Sequence, residues 1–172
     1  MGNLWYNEPK TLDTAFDVIG DIVLSAASQQ YGGFTVPSVD EILEPYAEKS
    51  HKLHLEKYRS LGLPEEAAQE VAWKDLEKEM EQGFQGWEYK FNTVASCRGD
   101  YPFITITIGH GTDMFSKLIA KTIFRVHALI QLLLDLHRYY PILYIFYTIS
   151  PPLFRLILSI IHRNDNHFCT RV

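Results

Sequence analysis

Residues 92–103 read NTVASCRGDYPF, and four of these side chains are donors of the kind that hold an anion. Asn92 offers an amide, Thr93 and Ser96 offer hydroxyls, and Arg98 offers a guanidinium that can grip a phosphate through two parallel hydrogen bonds. Gly99 has no Cβ, so backbone there can approach a ligand closely. This is the chemistry of binding and orienting, not of bond cleavage. The same residues also suit a loop that caps itself with its own side chains, and on residue types alone both readings stand. Cys97 lies among them, and its plain reading is a small neutral thiol in a loop.

A second segment, residues 30–41, reads QYGGFTVPSVDE. Tyr31 and Phe34 are apolar anchors, Gly32 and Gly33 permit a sharp reversal, and Pro37 and Ser38 launch the next helix. We read Tyr31, Gly32, Gly33 and Pro37 as a structural clasp. The remaining candidates are weaker. His51 and His54 fall on a charged helix and read as surface residues. His110 stands between Gly109 and Gly111, where it can approach a phosphate, but a bare turn histidine is the plainer reading. Glu77 and Glu81 read as solvated helix charges. Cys97 and Cys169 show no CxxC spacing, so no metal site or disulfide is expected, and no catalytic residue is assigned.

Composition bounds the class. With 47% hydrophobic and 22% charged residues, a chain of 172 residues can build a core. Its net charge of −5 argues against a nucleic-acid partner. The start lacks the basic and apolar regions of a secretory signal, so a cytoplasmic location is expected.

The composition changes near Val126. All ten glycines and every lysine precede it; from His127 onward Asp135 and Asp165 face Arg138, Arg155, Arg163 and Arg171. The tail is therefore +2 and the body −7. Residues 139–161 are long enough to cross a bilayer, but Pro151, Pro152 and Arg155 interrupt them. Two units are expected: a body of residues 1–126, and a hydrophobic tail of residues 127–172 that is not its natural continuation, for instance because it is read in a shifted frame. A small membrane-anchored helical interaction protein, with 139–161 as the anchor, is the alternative.

Periodicity places the elements. Leu12, Ala15, Phe16, Ile19, Ile22, Val23, Ala26 and Ala27 predict a helix over 12–30 with one buried face. Ser38 and Glu41 fit a capping box opening a second helix, with Pro45 starting a new segment or a kink, and the helix stopping at Gly62. Pro64 suits the first position of a third helix, running to Phe84. Phe103–Ile108 alternate as a strand, and an amphipathic helix follows from an N-cap at Thr112. One strand cannot make a sheet, so the body reads as a mostly helical slice of a larger α/β protein.

Four motifs in order carry a family resemblance: Tyr31-Gly32-Gly33, Glu44-Pro45-Tyr46, Glu88-Tyr89-x-x-Asn92-Thr93 and Gly99-x-x-Pro102-Phe103. Together they resemble the anaerobic, class III ribonucleoside-triphosphate reductases, over about residues 11–126. The resemblance implies a ten-stranded α/β barrel that reduces ribonucleotides to deoxyribonucleotides for DNA synthesis by glycyl and thiyl radical chemistry. It implies a ribonucleoside triphosphate substrate, formate as reductant, a homodimer, and an iron–sulfur activase that installs the glycyl radical using S-adenosylmethionine. It places Asn92, Thr93, Ser96, Arg98 and Gly99 near the nucleotide. The family's radical glycine and its cysteines have no matching position here, so the isolated chain is expected to be an inactive fragment that carries no cofactor itself.

Overall fold

A computed structural model describes residues 8–30, 32–94, 103–135 and 143–147. Among these residues four helices and three short strands follow one another: α1 (Leu12–Ala27), β1 (Phe34–Val36), α2 (Val39–Ser60), α3 (Glu65–Thr93), β2 (Ile104–Ile108), α4 (Met114–Asp135) and β3 (Leu143–Tyr147). The strands form one parallel sheet in the order β1-β2-β3. Phe34 pairs with Ile104, and Ile106 with Ile145. Parallel neighbours need long crossovers, and here helices supply them: α2 and α3 link β1 to β2, and α4 links β2 to β3. The chain is thus α/β and mostly helical, with three strands where periodicity shows one.

The core lies between the sheet and the helices. Ile104, Ile106 and Ile108 are buried on one face of β2, as the alternation requires. Phe16 of α1 packs edge-on against Phe84 and Trp87 of α3, with ring centroids 4.8 and 5.0 Å apart. The Trp87 indole donates to the Phe16 carbonyl at 2.7 Å, which satisfies its only polar group inside the core. Gly20 lets this contact form, because a Cβ there would lie 3.2 Å from the indole nitrogen.

Several boundaries differ from the periodicity. α1 ends at Ala27; Gln29 and Gln30 close tighter turns by donating to the Ala26 and Ala27 carbonyls. α3 does not stop at Phe84 but continues to Thr93, because Phe84, Trp87, Glu88 and Phe91 extend its buried stripe. Pro64 is the residue before this helix, not its first. The Ser38 capping box does not form: Ser38 has φ 46°, and its side chain caps nothing. Its N–H instead donates to Thr107 Oγ1 of β2 at 2.9 Å, so the entry to α2 is set by the sheet. Pro45 neither breaks nor restarts α2. It sits on the exposed side, where the carbonyl it leaves without a donor can meet water.

Among the described residues no helix is long and apolar enough to cross a membrane. Of the 139–161 stretch only Leu143–Tyr147 is described, and it is the strand β3. α4 runs unbroken through Val126 to Asp135.

Candidate functional site

The two segments singled out in the sequence meet. Residues Gly32 and Gly33 lead into the amino-terminal end of β1, and Phe103 leads into the same end of its neighbour β2. Phe34 N–H donates to the Phe103 carbonyl at 2.8 Å, and a Cβ on Gly33 would lie 3.5 Å from that oxygen. Gly32 has φ 97°, a left-handed conformation that glycine adopts without strain. Pro37 follows β1 at the opposite end of the sheet. Tyr31, Ser96, Arg98 and Gly99 lie outside the described residues, as do Cys97 and Cys169.

Asn92 and Thr93 belong to the last turn of α3, not to a loop. Thr93 Oγ1 donates to the Tyr89 carbonyl at 2.6 Å, and Asn92 Nδ2 donates to the Glu88 carbonyl at 2.7 Å. Both side chains thus bond back onto the preceding turn of their own helix.

Beside them is a buried acid that sequence reasoning missed. Glu88 is buried on the core face of α3; its Oε1 lies 2.6 Å from Nδ1 of His127 on α4, and its Oε2 accepts from Asn92 Nδ2 at 3.3 Å. The pair ties the carboxyl end of α3 to α4. Its signal in the sequence was a charged residue set between Phe84 and Phe91 on an apolar stripe.

A second missed acid organises the carboxyl-terminal end of the sheet, the edge where open α/β sheets bind ligands. Asp40, in the first turn of α2, is buried. Its Oδ2 accepts from the N–H groups of Gly109 (2.9 Å) and Gly111 (2.8 Å) in the turn after β2. Its Oδ1 is buried without a hydrogen-bond partner among the described residues. Gly109 has φ 102°, and a Cβ on Gly111 would collide with Ser116 at 2.3 Å. Ser116 in turn donates to Glu44 Oε2 at 2.6 Å. The turn amides that an anion near His110 would need are therefore already occupied by a carboxylate. His110 itself is exposed, as the plainer reading held.

Other side chains depart from expectation. His51 and His54 are half-buried rather than free on the surface. His51 packs against Trp73 and Phe115, and burial, with His54 as a smaller cause, lowers its pKa. His54 Nε2 lies 3.0 Å from Glu79 Oε2, which also accepts from Ser50 Oγ at 2.8 Å. Glu81 pairs with Arg125. Among the described residues no cluster of three or more His, Cys, Asp or Glu side chains is placed to hold a metal ion.

An alternating α/β chain with a parallel sheet defines a broad class, and comparison with known proteins narrows it. The family profile described as anaerobic ribonucleoside-triphosphate reductase matches residues 1–142. The anaerobic ribonucleoside-triphosphate reductases of Enterobacteria phage T4 and Haemophilus influenzae are 35% and 36% identical over 125 residues. That of Escherichia coli is 35% identical over the same length. Each alignment covers 73% of this chain but only 17–20% of the relative, so the chain spans about a fifth of the length of the curated relatives it matches. The chain belongs to the anaerobic ribonucleoside-triphosphate reductase family.

Proposed function

We propose that this chain is one part of the barrel wall of an anaerobic ribonucleoside-triphosphate reductase, and that it lines the substrate rather than carrying radicals. The observation that carries the reading is the 35–36% identity over 125 residues to reductases that share this name. The parallel sheet with helical crossovers suits a segment of an α/β barrel. In this reading the complete enzyme reduces ribonucleoside triphosphates to deoxyribonucleotides in the cytoplasm. The glycyl radical, its iron–sulfur activase, the formate reductant and the homodimer belong to that complete enzyme.

Within the chain, Asn92, Thr93, Ser96, Arg98 and Gly99 are the substrate-lining residues in this proposal. Arg98 supplies a fixed positive charge for a phosphate, and Gly99 lets the backbone come close. Glu88 and His127 hold the helix end from which this segment departs, so their role is positioning. Tyr31, Gly32, Gly33 and Pro37 shape the β1 connections and are structural. We further propose that the hydrophobic tail beyond the matched residues 1–142 is not the natural continuation of the body, for instance because it is read in a shifted frame. Translation of the downstream DNA in all three frames tests this. A frame that resumes glycine- and lysine-rich barrel sequence supports the proposal; none that does so overturns it.

The functional test is a graft. Residues 11–126 replace the matched stretch in the phage T4 reductase, and anaerobic ribonucleotide reduction is assayed with the activase present. Retained turnover in the graft, with none from the isolated chain, is the expected result. A folded graft that forms its glycyl radical but cannot reduce any ribonucleotide contradicts it.

A further inference from the structure

Three rings from three helices meet where α2, α3 and α4 pack together. His51 of α2 meets Trp73 of α3 edge-on at 5.6 Å between centroids, and Phe115 of α4 at 5.7 Å. Trp73 and Phe115 lie 5.8 Å apart. All three side chains are half-buried, and the His51 ring has no hydrogen bond among the described residues. Burial disfavours the charged form of such a ring, and the charge of nearby His54 disfavours it further.

His51 also lines a groove in which α3 contributes Glu66, Glu70, Lys74 and Glu77. Glu70 is bonded to Lys74 at 2.6 Å, so the two largely cancel. Glu77 has no hydrogen bond or ion pair among the described residues, and it stands one turn beyond Trp73 on the same side of α3. On α2, His54 is turned to Glu79, at 3.0 Å. From α4, Met114 and Phe115 meet this space, and neither is charged.

We propose that His51 is an acid-driven switch: neutral, its ring joins α2 to α4 through Trp73 and Phe115; protonated, it turns into the groove to Glu77 and releases the first turn of α4. The two states have different contacts, as a switch requires. Between the rings an imidazolium gives up water and finds no acceptor. In the groove it meets water and the carboxylate that the ring cluster lacks. Phe115 precedes Ser116, which donates to Glu44 at the carboxyl-terminal end of the sheet, so release of this turn is felt at that edge.

The test is an NMR titration of the full 172-residue chain, from about pH 8 to about pH 5, following the rings of His51, Trp73 and Phe115. All three are expected to change with one midpoint. Amides at the start of α4 are expected to exchange faster below it, after correction for the intrinsic effect of pH. In Glu77→Gln the midpoint is expected to fall by about 0.5 in pH, the scale of an exposed ion pair. In His51→Phe the Trp73 and Phe115 signals are expected to stay fixed across the range. Signals of Trp73 and Phe115 that stay fixed in the parent while His51 titrates overturn the proposal, because the imidazolium then remains against the rings as a cation–π pair. An unchanged midpoint in Glu77→Gln overturns it too, and circular dichroism establishes that this variant is folded even where His51→Phe is not.

Discussion

Glu88 Oε1 and His127 Nδ1 lie 2.6 Å apart, joining α3 to α4 through a carboxylate that is almost wholly removed from water. A buried carboxyl oxygen left without its hydrogen-bond partner costs about 1–3 kcal/mol. His127→Ala leaves Glu88 Oε1 without His127 while Oε2 keeps Asn92, so a loss of about 1–3 kcal/mol is expected in urea unfolding. The double variant His127→Leu/Glu88→Gln should recover part of that loss. Equal stability of His127→Ala and the parent would show that the pair contributes nothing.

Asp40 is the corresponding link at the other end of the sheet. Asp40→Ala removes the acceptor for two turn amides, at Gly109 and Gly111, and leaves both without it. A buried orphaned group costs about 1–3 kcal/mol; these amides are partly buried and water can meet them, so Asp40→Ala is expected to be destabilising by about 1–2 kcal/mol. Asp40→Asn keeps an acceptor and should cost less. Amide hydrogen exchange at Gly109 and Gly111 checks the mechanism: both amides should lose protection in Asp40→Ala before the rest of the sheet does.

Two glycines of α3 should respond oppositely to alanine. A Cβ on Gly83 would meet the Phe16 ring at 2.3 Å, which α1 cannot accommodate without shifting. Overpacking of this kind costs about 1–3 kcal/mol. A Cβ on Gly86 meets nothing within 4 Å, so Gly86→Ala gains helix propensity, up to about 1 kcal/mol. Thermal unfolding of the two variants should move the midpoint down for Gly83→Ala and up for Gly86→Ala. Shifts in the same direction would contradict the packing of α1 on α3.

His51 sets a pH dependence. Burial first, and His54 second, lower its pKa below the ordinary 6.5. The unfolded chain therefore binds the proton more readily than the folded one. The stability tied to His51 is full above pH 6.5 and is lost as pH falls from there through the lower folded value. Unfolding free energy measured at pH 7.5 and 5.5 should fall with pH, and His51→Phe should flatten the part of the slope that belongs to this residue. An unchanged slope in His51→Phe would contradict the assignment.

The helices were legible because their apolar stripes are long: Leu12, Ala15, Phe16 and Val23 on α1 are buried as their spacing requires. The alternation of Ile104, Ile106 and Ile108 announced β2. β1 was not legible, since three residues in a Gly-Gly-Phe-Thr-Val-Pro setting carry too little periodicity to separate strand from turn. The failed cap at Ser38 has a tertiary cause: Thr107, 69 residues away, takes its N–H. The site divides in the same way. Donor residue types at 92–99 were visible, but the acids that hold the framework, Asp40 and Glu88, sit within apolar stripes and read as ordinary helix charges. Only the fold shows what they face.

The grafted reductase tests the substrate-lining segment directly. In that enzyme Arg98→Ala is compared with its parent by steady-state kinetics under anaerobic conditions. A phosphate contact shared by ground state and transition state predicts a KM for the ribonucleoside triphosphate raised about tenfold with kcat little changed. An unchanged KM in a graft that folds and forms its radical would contradict the placement of residues 92–99 against the nucleotide.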